Sequence, residues 1–169
     1  MNVLNDEAPE ALAEEIRNAL SGLVASLPSG TYHLELIADP EYPERGAVVR
    51  LSPANERSAS VRISVAHGDR DAVIDFGRNS RIELFDRSRQ PDMGAESLVE
   101  ECRMIASAVV GGEVREQVVW KGESIIESKA VLGMPTQPIT TSSHVLGSPL
   151  LGRKRTETYE YAPYVDERA

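Results

Sequence analysis

Residues 58–85 read SASVRISVAHGDRDAVIDFGRNSRIELF, and this stretch decides the fold. In Ser58–Val65, Val61, Ile63 and Val65 alternate with Ser60, Arg62 and Ser64. That alternation gives a strand with one apolar and one polar face. Ala72–Phe76 and Arg81–Phe85 repeat the pattern on either side of Gly77-Arg78-Asn79-Ser80 and read as a hairpin. His67-Gly68-Asp69 is a turn between the first two strands. Strands this close in sequence can be joined only by hairpins, so the sheet is expected to be antiparallel.

Working outward, Thr31–Ile37 and Ala47–Ser52 carry the same period, separated by a loop over Asp39–Gly46 that holds two prolines. Ahead of them the period becomes helical over about residues 7–27, where Leu12, Ile16, Leu20, Leu23, Val24 and Leu27 recur. Asp6 is its candidate N-cap, and Pro9 suits a first turn. A second helix is expected over Gly94–Val110, with Asp92 as candidate cap. Its stripe is Leu98, Cys102, Ile105 and Val109, and Gly111-Gly112 ends it. Glu113–Trp120 and Ser124–Leu132 follow as a hairpin around Lys121-Gly122-Glu123.

The expected fold class is therefore α+β. A mostly antiparallel sheet, a five-strand meander plus a C-terminal hairpin, is packed by two helices. Residues 1–132 are read as a single domain and residues 133–169 as an extended or partly disordered C-terminal arm. The arm carries prolines, Ser/Thr runs, Leu150, Leu151 and three tyrosines: Tyr159, Tyr161 and Tyr164. The stretch Leu98–Leu132 resembles in general style small bacterial proteins, some immunity-type proteins among them; the resemblance implies no site residue.

Composition narrows function. The 169 residues hold 27 Asp and Glu against 18 Lys and Arg, a formal net charge of −9. A phosphate backbone needs a basic footprint, so no nucleic acid is expected as partner. No apolar run approaches a membrane span, and the first residues, MNVLNDEAPE, lack the features of a secretory signal. The chain is read as cytoplasmic, without a membrane partner. A single cysteine and three histidines, His33, His67 and His144, show no metal-ligand spacing, so no metal or cofactor is expected. Phosphate-loop, dinucleotide and nucleophile-elbow motifs are absent.

Each reactive group has a plainer explanation beside it. Cys102 lies on an apolar helix stripe after Glu100 and Glu101, which suits a core thiol better than a nucleophile. His67 with Asp69 and Asp71 surrounds Gly68, as turn residues do. Asp75 and Glu83 are expected to face each other across the hairpin, where cross-strand charge pairing accounts for them. Trp120, at a strand end, is either a packing residue or an interface anchor.

No catalytic residue is assigned. The candidate interaction surface is Glu35, Arg50, Arg62, Asp75, Glu83, Trp120, Tyr159, Tyr161 and Tyr164. The favoured reading is a small acidic protein-binding module of immunity- or inhibitor-like type, engaging a basic partner. One alternative is an enzyme or ligand-binding protein with a pocket between sheet and helix, using His33, Glu35, Arg62 and Asp75. Another is self-association through the arm.

Overall fold

The computed structural model describes residues 9–39, 46–66, 71–85, 98–133, 139–144 and 153–165. Its elements run α1 (Pro9–Val24), β1 (Tyr32–Ala38), β2 (Gly46–Pro53), β3 (Val61–Ala66), β4 (Asp71–Phe76) and β5 (Ser80–Phe85). Then come α2 (Leu98–Val110), β6 (Val114–Lys121), β7 (Ser124–Leu132), β8 (Ile139–His144) and β9 (Lys154–Glu160). The fold is α+β with antiparallel pairing throughout the described strands. Asp6, the His67–Asp69 turn, Asp92 and Gly94 lie outside the described residues.

The strands form two sheets. The first is the meander β1-β2-β3-β4-β5; the second has the order β8-β7-β6-β9. In the first sheet Val49, Leu51, Val61, Ile63, Ile74 and Phe76 turn one way and are buried. Helix α1 lays Ala13, Ile16, Leu20 and Val24 on that face, over β1, β2 and β3. Helix α2 lies beside α1 and reaches β3, β4 and β5 of the first sheet and β7 of the second. Its buried stripe of Leu98, Cys102, Ile105 and Val109 thus joins one continuous core with Val114, Ala130 and Leu132. Burying each large aliphatic side chain is worth about 1.5–3 kcal/mol.

The C-terminal hairpin is not an extension of the meander. It forms the centre of the second sheet, and the stretch read as an arm supplies both flanking strands, β8 and β9. The chain then continues inward. Helix α2 ends in a Schellman motif, with the Glu113 N–H donating to Ala108 O and the Gly112 N–H to Val109 O. Gly112 has a φ of 72°, and a Cβ there would meet Pro163 N at 2.5 Å. Against this glycine passes the segment 161–164. The Tyr164 N–H donates to Val110 O, and its hydroxyl donates to Leu51 O and Ala59 O, 3.2 and 2.9 Å away. Tyr164 is 3% exposed, so it is a core residue and offers nothing to a partner in this structure.

Candidate functional site

Strand β6 presents Val114, Glu116 and Val118 to the interior, and all three are buried. An isolated carboxylate at such a position would be costly, so its partners decide what it does. Glu116 accepts from the backbone N–H groups of Arg78 and Asn79, both at 2.8 Å. It also accepts from the Ser80 hydroxyl at 2.7 Å and the Tyr161 hydroxyl at 2.6 Å. One carboxylate of the second sheet thus holds the tip of the β4–β5 hairpin of the first. Ser128, one strand over and buried, donates to Asn79 O at 2.8 Å. Thr141 on β8 donates to Arg81 O at 3.0 Å.

Gly77 makes this possible twice over. Its φ is 64°, a region that favours glycine, and a Cβ there would stand 2.8 Å from Glu116 Oε2 and 2.9 Å from the Tyr161 hydroxyl. Burial and the bond to Glu116 both raise the pKa of the Tyr161 hydroxyl. Burial alone raises that of Tyr164. Burial, with the negative charge of Glu101 added, pushes the Cys102 thiol up to about 12, so it is no nucleophile at neutral pH.

The clamp sets the hairpin register. The closing pair is Phe76–Ser80, because Ser80 is drawn inside to Glu116. Asp75 therefore lies opposite Arg81, and Glu83 lies opposite Val73. The expected Asp75–Glu83 pair does not form: the turn is shorter than one that would bring them level. Arg81 grips Asp75 instead, Nε to Oδ1 at 2.7 Å. Glu83 is exposed on the same face.

Across the polar face of the first sheet one row crosses every strand: Glu35, Arg50, Arg62, Asp75, Arg81. Arg50 pairs with Glu35 at 2.9 Å, and His33, exposed, lies 3.5 Å from the same carboxylate. Arg62 stands between Arg50 and Asp75, with Asp39 at 3.9 Å as its only ion-pair partner among the described residues. Its Nε is buried without a hydrogen-bond partner. Arg62, Asp75, Arg78 and Arg81, with Ser60 and Asn79, line an open cleft of about 560 Å³ at the hairpin tip. A second cleft, about 430 Å³, runs past Ser64, Val73, Glu83 and the exposed Phe85. Neither is lined by a residue of α1 or α2.

Beyond Glu116 the interior face of the second sheet continues outward along β9. Tyr159 sits opposite Glu116, Glu157 opposite Val118 and Arg155 opposite Trp120. The Arg78 guanidinium lies 5.0 Å from the Tyr159 ring centre, and that of Arg155 lies 5.1 Å from the Trp120 ring. The Tyr159 hydroxyl donates to Glu157, and Arg155 Nε is 3.4 Å from the same carboxylate. The bond from Tyr159, with help from Arg155, holds the Glu157 carboxyl below its usual range; the same bond, with burial and the Glu157 charge, raises the Tyr159 hydroxyl. The Trp120 N–H is buried and makes no bond of normal geometry, though it lies near enough to help lower Glu157.

The structure thus brings together Trp120, Tyr159 and, through Glu116, Tyr161, and separately Glu35, Arg50, Arg62 and Asp75. It leaves Glu83 outside the paired row and Tyr164 in the core. Glu116 escaped the sequence reading. The signal was present, because it shares parity with Val114, Val118 and Trp120 and so places a charge on an inward face. Among the described residues no group of three His, Cys, Asp or Glu could hold a metal, and no helix is long and apolar enough to cross a membrane. Comparison with protein families, curated proteins and solved structures finds no match to the chain.

Proposed function

We propose that the protein is a non-enzymatic binding module whose partner is a protein, engaged through the strip Arg78, Tyr159, Glu157, Arg155 and Trp120. The observation that carries this reading is the half-exposed Trp120 indole held under the Arg155 guanidinium. Trp, Tyr and Arg dominate interface hot spots. Here they are ordered in advance, which lowers the entropy lost on binding. The net charge of −9 supports a basic partner, drawn in by long-range attraction. An inhibitor that neutralises a basic enzyme in the cytoplasm is the form of this reading that the charge favours.

The charged row on the first sheet adds weight against chemistry of the chain's own. Glu35 and Asp75 are each taken up by an arginine, as cross-strand pairs are. Self-association through the C-terminal segment is less favoured. Residues 139–144 and 154–160 are already paired within the second sheet. The edge strand β9 is charged along its length, with Lys154 and Arg155 at one end and Glu157 and Glu160 towards the other, which blunts strand addition.

The test compares the immobilised wild type and Trp120→Ala in extract of the source cells. The reading expects a basic protein retained by the wild type and lost with Trp120→Ala. Affinity for that purified protein should fall about thirtyfold or more, the scale of a hot-spot residue. Equal retention by both forms would remove the strip from the account.

A further inference from the structure

One row across the polar face of the first sheet holds one more cation than it holds acids. The row across the strands holds Glu35, Arg50, Arg62, Asp75 and Arg81. Glu35 is bonded by Arg50, and Asp75 by Arg81 through both Nε and Nη2. Arg62 stands in the middle, opposite the like charge of Arg50 on one side and opposite Asp75, already bonded by Arg81, on the other. Like charges directly opposite each other destabilise a sheet. A guanidinium N–H that is buried without an acceptor adds a further cost, and Arg62 Nε is such a group. Its nearest carboxylate, Asp39, is 3.9 Å away, beyond hydrogen-bond distance.

The cleft beside it repeats the imbalance. Arg62, Arg78 and Arg81 line it with Asp75 as its one acid, a surplus of two positive charges in a chain of net charge −9. No carboxylate stands within ion-pair distance of Arg78 among the described residues; its guanidinium is held over the Tyr159 ring instead. The hairpin tip that carries Arg78 is pinned through its backbone N–H to Glu116, so the position of this cation is built in. Ser60 adds a hydroxyl to the lining.

We propose that this cleft binds a phosphate group, with Arg62 and Arg78 as the principal donors. Two arginines lining one open cleft suit a phosphate, which carries between one and two negative charges at neutral pH and several acceptor oxygens. The bound group offsets the repulsion between Arg50 and Arg62. The site is separate from the protein-binding strip except at Arg78. Trp120→Ala therefore leaves phosphate binding intact even if partner binding is lost, and failure of one reading does not carry the other with it.

The experiment is calorimetric titration and thermal unfolding of the full chain with inorganic phosphate and with glycerol 3-phosphate. Sodium chloride and sodium succinate at matched ionic strength are the controls. Saturable binding and a raised Tm are expected for phosphate and not for chloride or succinate. Tighter binding of the ester identifies a phosphorylated metabolite as the source of the group, and equal binding identifies free phosphate. Arg62→Gln and Arg78→Gln should each weaken binding about ten- to a hundredfold. Without phosphate, Arg62→Gln should unfold at the same temperature as the wild type or higher, because it removes an unpaired cation. Absence of saturation, equal stabilisation by succinate, or wild-type affinity in a folded Arg62→Gln and Arg78→Gln would overturn the proposal.

Discussion

In the first sheet every strand pairs with its neighbour in sequence, whereas in the second β9 passes β8 and β7 to reach β6. The difference is one of where the organising force lies. The meander needs only short turns and alternating side chains, so each hairpin is favoured locally. The second sheet closes a long loop before its last strand gains a single contact. It is completed by non-local anchors: Glu116 on the hairpin tip, and Tyr164 in the core between Leu51 and Ala59. The candidate surfaces lie where the two regimes meet.

Removing everything after Leu132 should break the comparison most severely. The β6–β7 hairpin would lose both flanking strands and the core would lose Tyr164, and an isolated hairpin is marginal at best. Such a chain is expected to lose protection of the amides of 114–132 in hydrogen exchange, while the meander keeps part of its own. Retained protection throughout would mean that the second sheet does not depend on its outer strands.

Glu116→Ala comes next. It strands two backbone N–H groups and two hydroxyls, and is expected to destabilise by about 3–5 kcal/mol in urea unfolding. Tyr164→Phe keeps the ring and deletes the donor to two carbonyls, so about 1–2 kcal/mol is expected.

The smallest effect is a pH dependence. The unfolded Cys102 thiol ionises near 9.0, while the folded one keeps its proton to about 12. Between these values the unfolded state binds fewer protons, so stability falls as pH rises. The raised Tyr161 and Tyr164 hydroxyls act in the same direction above pH 10.0. Cys102→Ala should flatten the fall that begins near pH 9.0, seen as a smaller drop in urea midpoint up to pH 10. An unchanged slope would show that this thiol is not held as described.

The meander and both helices were legible because burial on one face imposes a period, and Val61, Ile63 and Val65 or Ile16, Leu20 and Val24 carry it openly. The outer strands of the second sheet were not. Lys154–Glu160 reads KRTETYE and lies at an edge, where only Glu157 and Tyr159 are even half-buried, so no apolar alternation marks it. The hairpin register was hidden for another reason. It depends on Ser80 reaching a carboxylate that lies 36 residues further along the chain. The candidate surface was partly legible: Trp120, Tyr159 and, from the charged row, Glu35, Arg50, Arg62 and Asp75 were chosen from sequence, but Glu116, which holds the hairpin tip and Tyr161, is a polar residue on a buried face and shows its meaning only with its donors around it.

Hydrogen exchange at the Arg78 and Asn79 amides tests most directly whether this one carboxylate joins the two sheets and sets the hairpin tip. Both amides sit in a turn, where exchange is ordinarily fast, and both donate to Glu116. The account predicts that they are protected in the wild type and exchange at least about tenfold faster in a folded Glu116→Gln protein, where one acceptor oxygen has become a donor. Fast exchange of both amides in the wild type, or protection unchanged in Glu116→Gln, would contradict it.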